Sequence, residues 1–241
     1  MSVGVPDHGV EQQQGEREQA AWGFENAKSH EPRWPATLAV LAALALYAPL
    51  PARYTAGPPW VLPALELAVL IPLNVTSPRI TRSSHSHALG FILIGAVSAA
   101  NVYALYVLVE DLLQKHATGF QHGLNGRALL TAAVQVWLTN VLVFGLWYWM
   151  LDRGGPGQRA DHRHRQPDFL FPQMSNPESA PKHWSPSFMD YLYLSVTNSA
   201  AFSPTDTMPL TPWAKMLMLA QSLISLLTIA LVAARAVNIL G

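Results

Sequence analysis

Apolar residues along this chain gather into runs of roughly 17–25 residues, the length a helix rising ~1.5 Å per residue needs to cross a hydrocarbon core of about 30 Å. Short polar stretches rich in Gly, Pro, Ser and His separate the runs. The pattern predicts about five spanning helices, over residues 34–50, 60–76, 88–113, 128–151 and 211–240. Pro35 suits the first turn of the first helix, where a missing N–H costs little, whereas Pro63 and Pro72 kink the second. The third run ends in Glu110 and Asp111. The fourth ends in Trp147-Tyr148-Trp149, amphipathic rings that settle at a membrane–water boundary. Thr211 followed by Pro212 is an N-cap and first-turn pair opening the last helix. The fold class expected is all-α, a polytopic transmembrane helix bundle.

Composition agrees with that class. Of 241 residues 50% are hydrophobic and only 12% charged, with a formal net charge of +0. There is no cysteine, which excludes thiolate catalysis and cysteine-ligated metals. Residues 1–33 carry six acids against three basic residues and no apolar h-region, so a disordered polar tail is expected there and no cleaved signal. Residues 152–185 turn to Gly, Pro, Arg and His without periodicity, which predicts an exposed polar connector.

Between that connector and the last span, Ser185-Pro186-Ser187 caps a run of about 12 helix-forming residues that is too short to cross a bilayer. A polar loop from Thr197 to Thr211 follows. A re-entrant segment and an interfacial amphipathic helix both fit this signal.

The order of elements resembles the pore module of tetrameric, potassium-type cation channels: outer helix, short pore helix, filter loop and inner helix. Asp206-Thr207-Met208-Pro209-Leu210-Thr211 matches the Asp-x-x-Pro-x-Thr run into the inner helix. Counted back from Pro209, the family's Thr-Val-Gly-Tyr-Gly-Asp filter falls on Ala201-Phe202-Ser203-Pro204-Thr205-Asp206, where only the aspartate is retained. The filter glycines, which let backbone carbonyls line a pore, are replaced by Ser203 and Thr205, and the tyrosine by Pro204. The resemblance implies an ion path formed by Thr197, Asn198, Ala201, Phe202, Ser203, Pro204, Thr205 and Asp206, monovalent cations as partners, and a homo-oligomer. The same stretch is also similar to a family of uncharacterised bacterial integral membrane proteins, which implies a multi-pass protein of a bacterial inner membrane. A non-conducting structural or interaction protein that retains the scaffold is the alternative.

Glu66 lies near the middle of the second run, where an ionised carboxylate is costly unless paired, hydrated or protonated. A charge relay is one reading; a protonated carboxyl bonded to Asn101, Gln135 or Asn140 is the other. His85, His87, His162 and His164 lack a third ligand at metal spacing, so no metal is expected, and the arginines beside them suit anionic lipid headgroups. No phosphate loop, zinc helix or nucleophile elbow appears, so neither an enzyme, nor a cofactor, nor a nucleic-acid partner is expected.

Orientation is read in two opposite ways. The channel resemblance puts the connector outside. The excess of Arg79, Arg82, Arg153, Arg159, Arg163, Arg165 and Lys182 over Arg53, Lys115, Arg127 and Arg235 puts it in the cytoplasm. Single cysteines at Gly157 and Ser203 decide between them: the resemblance predicts labelling of both by an impermeant maleimide on intact cells. Labelling of neither before lysis places the connector inside.

Overall fold

The computed structural model describes residues 34–47, 84–118, 126–159, 166–181, 184–201 and 206–240. Its elements in chain order are α1 (Trp34–Tyr47), α2 (Ser84–Thr118), α3 (Gly126–Leu151), α4 (Pro156–Arg159), β1 (Phe169–Leu170), α5 (Pro172–Ser175), α6 (Phe188–Ala201), β2 (Met208–Pro209) and α7 (Pro212–Leu240). The class is all-α, with one two-stranded antiparallel ladder pairing Phe169 with Pro209 and Leu170 with Met208. Among the described residues, three stretches are long and apolar enough to cross a membrane: Gly90–Glu110 in α2, Leu130–Gly154 in α3 and the turn after it, and Pro212–Ala234 in α7. The first apolar run appears as α1, whose apolar stretch Trp34–Ala43 is too short to qualify. The second expected span, 60–76, lies outside the described residues, as does the polar tail.

The helix α3 is the central post, with α1, α2, α6 and α7 packed around it. Its inner residues Val143, Phe144, Leu146, Tyr148 and Trp149 form one core with Ala36 and Ala39 of α1, Ile94 and Val97 of α2, Tyr191 and Leu194 of α6, and Met218 of α7. Farther along, Ala132, Ala133 and Val136 meet Ala104, Leu105 and Leu108 of α2 in a second core. The alanines in both cores allow the close helix approach that membrane bundles favour. By contrast α7 turns Met216, Leu219, Leu223, Leu226 and Leu227 outward, an apolar face suited to hydrocarbon.

Parts of the connector are buried among residues that are otherwise exposed or half-buried. Arg153, Gly154 and Gly155 have φ of 53°, 80° and 93°, a left-handed run that turns the chain back over the end of α3. Phe169 then lies edge-on to Tyr148, with ring centroids 5.1 Å apart, and Phe171 lies edge-on to Tyr191 at 5.3 Å. Both phenylalanines are buried, so burial of these two rings holds the connector down.

At Gly145 of α3 a Cβ would stand 3.3 Å from the Leu192 Cα, so the missing side chain lets α6 approach α3 backbone to backbone. Gly145→Leu is expected to push α6 off α3 and destabilise the protein by about 1–3 kcal/mol, read as a lower thermal midpoint in detergent. Gly95→Ala, where an added Cβ meets nothing within 4 Å, is expected to leave the midpoint unchanged or raise it.

Candidate functional site

The helix–loop–helix of α6 and α7 is the site that the sequence singles out. At the start of α6, Ser187 and Asp190 form a capping box. The Ser187 amide and hydroxyl both donate to Asp190 Oδ2 at 2.8 Å, and the Asp190 amide donates to the Ser187 carbonyl at 3.0 Å. An acid in the first turn also suits the positive end of the helix dipole. From there α6 runs back along α3 and inward beside α7, passing Gly145 at Leu192; the Ser195 hydroxyl donates to the Val141 carbonyl at 2.6 Å.

The last turns of α6 are fastened to α7 by polar side chains. Gln221, fully buried, is the hub. Its Nε2 reaches the Ser195 carbonyl at 3.0 Å and the Ser195 and Ser199 hydroxyls at 2.6 Å each. Its Oε1 accepts from the Tyr148 hydroxyl and from Asn198 Nδ2, the latter at 2.9 Å. Asn198 Nδ2 also lies 3.0 Å from the Met218 carbonyl, and the Ser222 hydroxyl donates to Asn198 Oδ1 at 3.2 Å. One helical turn on, Asn140 Nδ2 donates to Ser225 Oγ at 2.9 Å, continuing the polar seam between α3 and α7.

Met218 and Gln221 are six and nine residues past Pro212, so the end of α6 lies about 9–14 Å along α7 from its start. The chain is back at the start of α7 by Met208 and Pro209, whose partners Leu170 and Phe169 belong to the connector. From Ala201 to Met208 the chain has a reach of at most about 25 Å, ample for that rise. The helix therefore packs against α3 and α7 as far as Ser199, and by Met208 the chain is back beside the start of α7.

The return is received by a polar clasp at the end of α3. Asp152, fully buried, accepts the Asp168 amide on Oδ1 at 2.8 Å and the Tyr191 hydroxyl on Oδ2 at 2.6 Å. Asp168 in turn accepts the Arg153 amide at 2.9 Å and the Thr211 hydroxyl at 2.8 Å, while its carbonyl takes the Leu210 amide at 2.8 Å. Thr211 also caps α7, its Oγ1 lying 3.4 Å from the Ala214 amide. The Arg159 guanidinium donates to the Trp149 and Asp152 carbonyls at 2.6 and 3.0 Å and lies over the Tyr191 ring at 5.2 Å. Arg159 thus satisfies carbonyls at the end of α3, while the basic face expected at His162 to Arg165 lies outside the described residues.

Of the residues expected along an ion path, Thr197, Asn198, Ala201 and Asp206 are described. The Thr197 hydroxyl bonds back to the Tyr193 and Leu194 carbonyls, both at 3.0 Å. Asn198 is turned into the seam with α7 and holds the helices together. Ala201, the last residue of α6, and Asp206, where the chain emerges, are exposed. Phe202, Ser203, Pro204, Thr205 and Glu66 lie outside the described residues. Of the partners considered for Glu66, Asn101, Gln135 and Asn140 are all buried, and Asn140 gives its amide to α7. Among the described residues, no group of three or more His, Asp or Glu is placed to hold a metal ion.

Sequence reading did not find Tyr148, Ser195, Gln221 and Ser225, nor Asp152 and Asp168. A signal for the seam was present: Gln221, Ser225 and Thr228 recur at i, i+4 and i+7 in an otherwise apolar helix. No protein-family model, curated protein or solved structure matches this chain.

Gln221→Leu strands the Tyr148 and Ser199 hydroxyls in the core. It is expected to cost about 2 kcal/mol or more, at least twice the cost of Ser222→Ala, which removes a single bond. Denaturant titration of the purified variants in detergent measures both.

Proposed function

We propose that the chain is a multi-pass protein of a bacterial inner membrane whose C-terminal helix–loop–helix is a pore-loop module, passing or sensing a small cation. The observation that carries this reading is where α6 ends. Its last turns pack on α7 at Met218 and Gln221, about 9–14 Å from the start of that helix, with no basic residue in the final turn. A helix that stops there directs its last carbonyls and the negative end of its dipole, worth roughly half an elementary charge, toward the bundle interior, an arrangement that favours cations. Only protein or water can satisfy such backbone at membrane depth, and a water-lined path supplies the latter.

On this reading the residues from Ala201 to Asp206 line the path, and Asp206 holds cations near its mouth. Several copies of the module around one axis enclose it. With Ser203 and Thr205 in place of filter glycines, hydroxyl oxygens join the carbonyls, which favours a hydrated cation over strict potassium selection. The same replacements favour a second reading, a non-conducting scaffold, whose mark would be a monomer in mild detergent.

Purified protein reconstituted into liposomes is expected to pass monovalent cations above the level of empty vesicles, and Asp206→Asn to reduce that flux several-fold. Absence of flux under every ionic condition tried, with incorporation verified, would rule out the conducting function.

A further inference from the structure

The connector and the returning limb of the loop meet along the two-residue ladder and the Leu210 amide, and through one side chain, that of Asp168. Asp168 sits in the connector, immediately before β1, and its carboxylate joins two partners far apart in sequence: the Arg153 amide at the end of α3 and the Thr211 hydroxyl at the start of α7. Asp152 accepts the Asp168 amide, while the Asp168 carboxylate accepts the amide of Arg153, the residue after Asp152. Arg153 is the only non-glycine residue with positive φ among the described residues, a conformation L-residues adopt at a cost. Its amide bond to Asp168 and the contact of its Nε with Asp152 Oδ2 at 3.6 Å are what retain it. Just before the clasp, Thr207 is buried although its neighbours Asp206 and Met208 are exposed. The loop exit is therefore held by the connector, and Asp168 is the side chain that ties both to the end of α3.

We propose that the connector is a strap and Asp168 its positioning residue: the Asp168 carboxylate sets the place of the loop exit, 206–211, relative to α3, so that a displacement of the connector is passed directly to the loop. The strap is local. Its release frees the segment around Thr207 and leaves the Gln221 seam between α6 and α7 intact, because no hydrogen bond of the seam involves Asp168 or Thr211. It operates whether or not ions pass, so its test reads the position of the loop and not a current.

The chain has no cysteine, so single thiols report cleanly. Thr207→Cys and, as a control in the seam, Ser199→Cys are each combined with Asp168→Ala and Asp168→Asn in the full-length protein, and the rate of reaction with N-ethylmaleimide is followed. Asp168→Ala removes both acceptors and is expected to speed labelling at position 207 about tenfold or more, leaving position 199 unchanged. Asp168→Asn keeps one acceptor oxygen and is expected to give a smaller rise. An unchanged rate at position 207 overturns the proposal. Equal acceleration at both positions overturns it too, since Asp168 would then support the whole fold and not the loop exit.

Discussion

Both ends of one side-chain amide, that of Gln221, are used to hold a short helix inside the bundle. The 14 residues of α6 are too few to cross a bilayer, and in a lipid surrounding apolar burial alone would not hold them against α7, because lipid is as apolar as a leucine core. Polar bonds act where the hydrophobic effect does not. Gln221 offers two donors and a carbonyl that accepts twice, and α6 and α3 supply complements to all of these in Ser195, Ser199, Asn198 and Tyr148. A leucine at this position would fill similar space and bind none of them.

The rest of the module follows from that attachment. With the C-terminal half of α6 fixed against α7, the N-terminal half is left beside the end of α3. There Gly145 permits contact, and the Ser187–Asp190 capping box ends the helix cleanly. The chain must then come back to begin α7, and it is caught by the connector through a two-residue ladder and the Asp168 carboxylate. The connector is itself kept in place by Phe169 and Phe171, which bury their rings among Tyr148, Tyr191 and Trp184. Tyr148 and Tyr191 each serve twice, packing with their rings and hydrogen-bonding with their hydroxyls, and so tie the seam to the clasp.

The helical class and the spans beginning near residues 88, 128 and 211 were legible in the sequence, because long apolar runs and a Thr-Pro cap are local signals. The cap at Ser187 was legible for the same reason. The burial of Phe169 and Phe171 within the connector was not legible: the short run Phe169-Leu170-Phe171 is too brief to show a period, and its burial depends on aromatic partners about 20 residues away on either side. The roles of Thr197 and Asn198 were not legible either. A polar residue on a short amphipathic helix faces a path or a neighbouring helix depending on which way the helix is rolled, and here Gln221, more than 20 residues later, sets the roll. Asp152 and Asp168 looked like two charges in a polar linker, because a clasp between residues 16 apart leaves no mark in the sequence around either.

The account stands on α6 entering the bilayer at an angle and stopping within it, in contrast to a helix lying flat at the interface. Spin labels placed one at a time at Met189, Val196 and Ala200, with Trp213 as the boundary reference, measure this directly. The depth of each label in reconstituted bilayers is read from its relative exposure to oxygen and to a water-soluble nickel complex. The account predicts that Met189 lies at the depth of Trp213 and that Val196 and Ala200 are progressively deeper. Equal depths at all three positions would mean that α6 lies in the plane of the surface, and would contradict the re-entrant module.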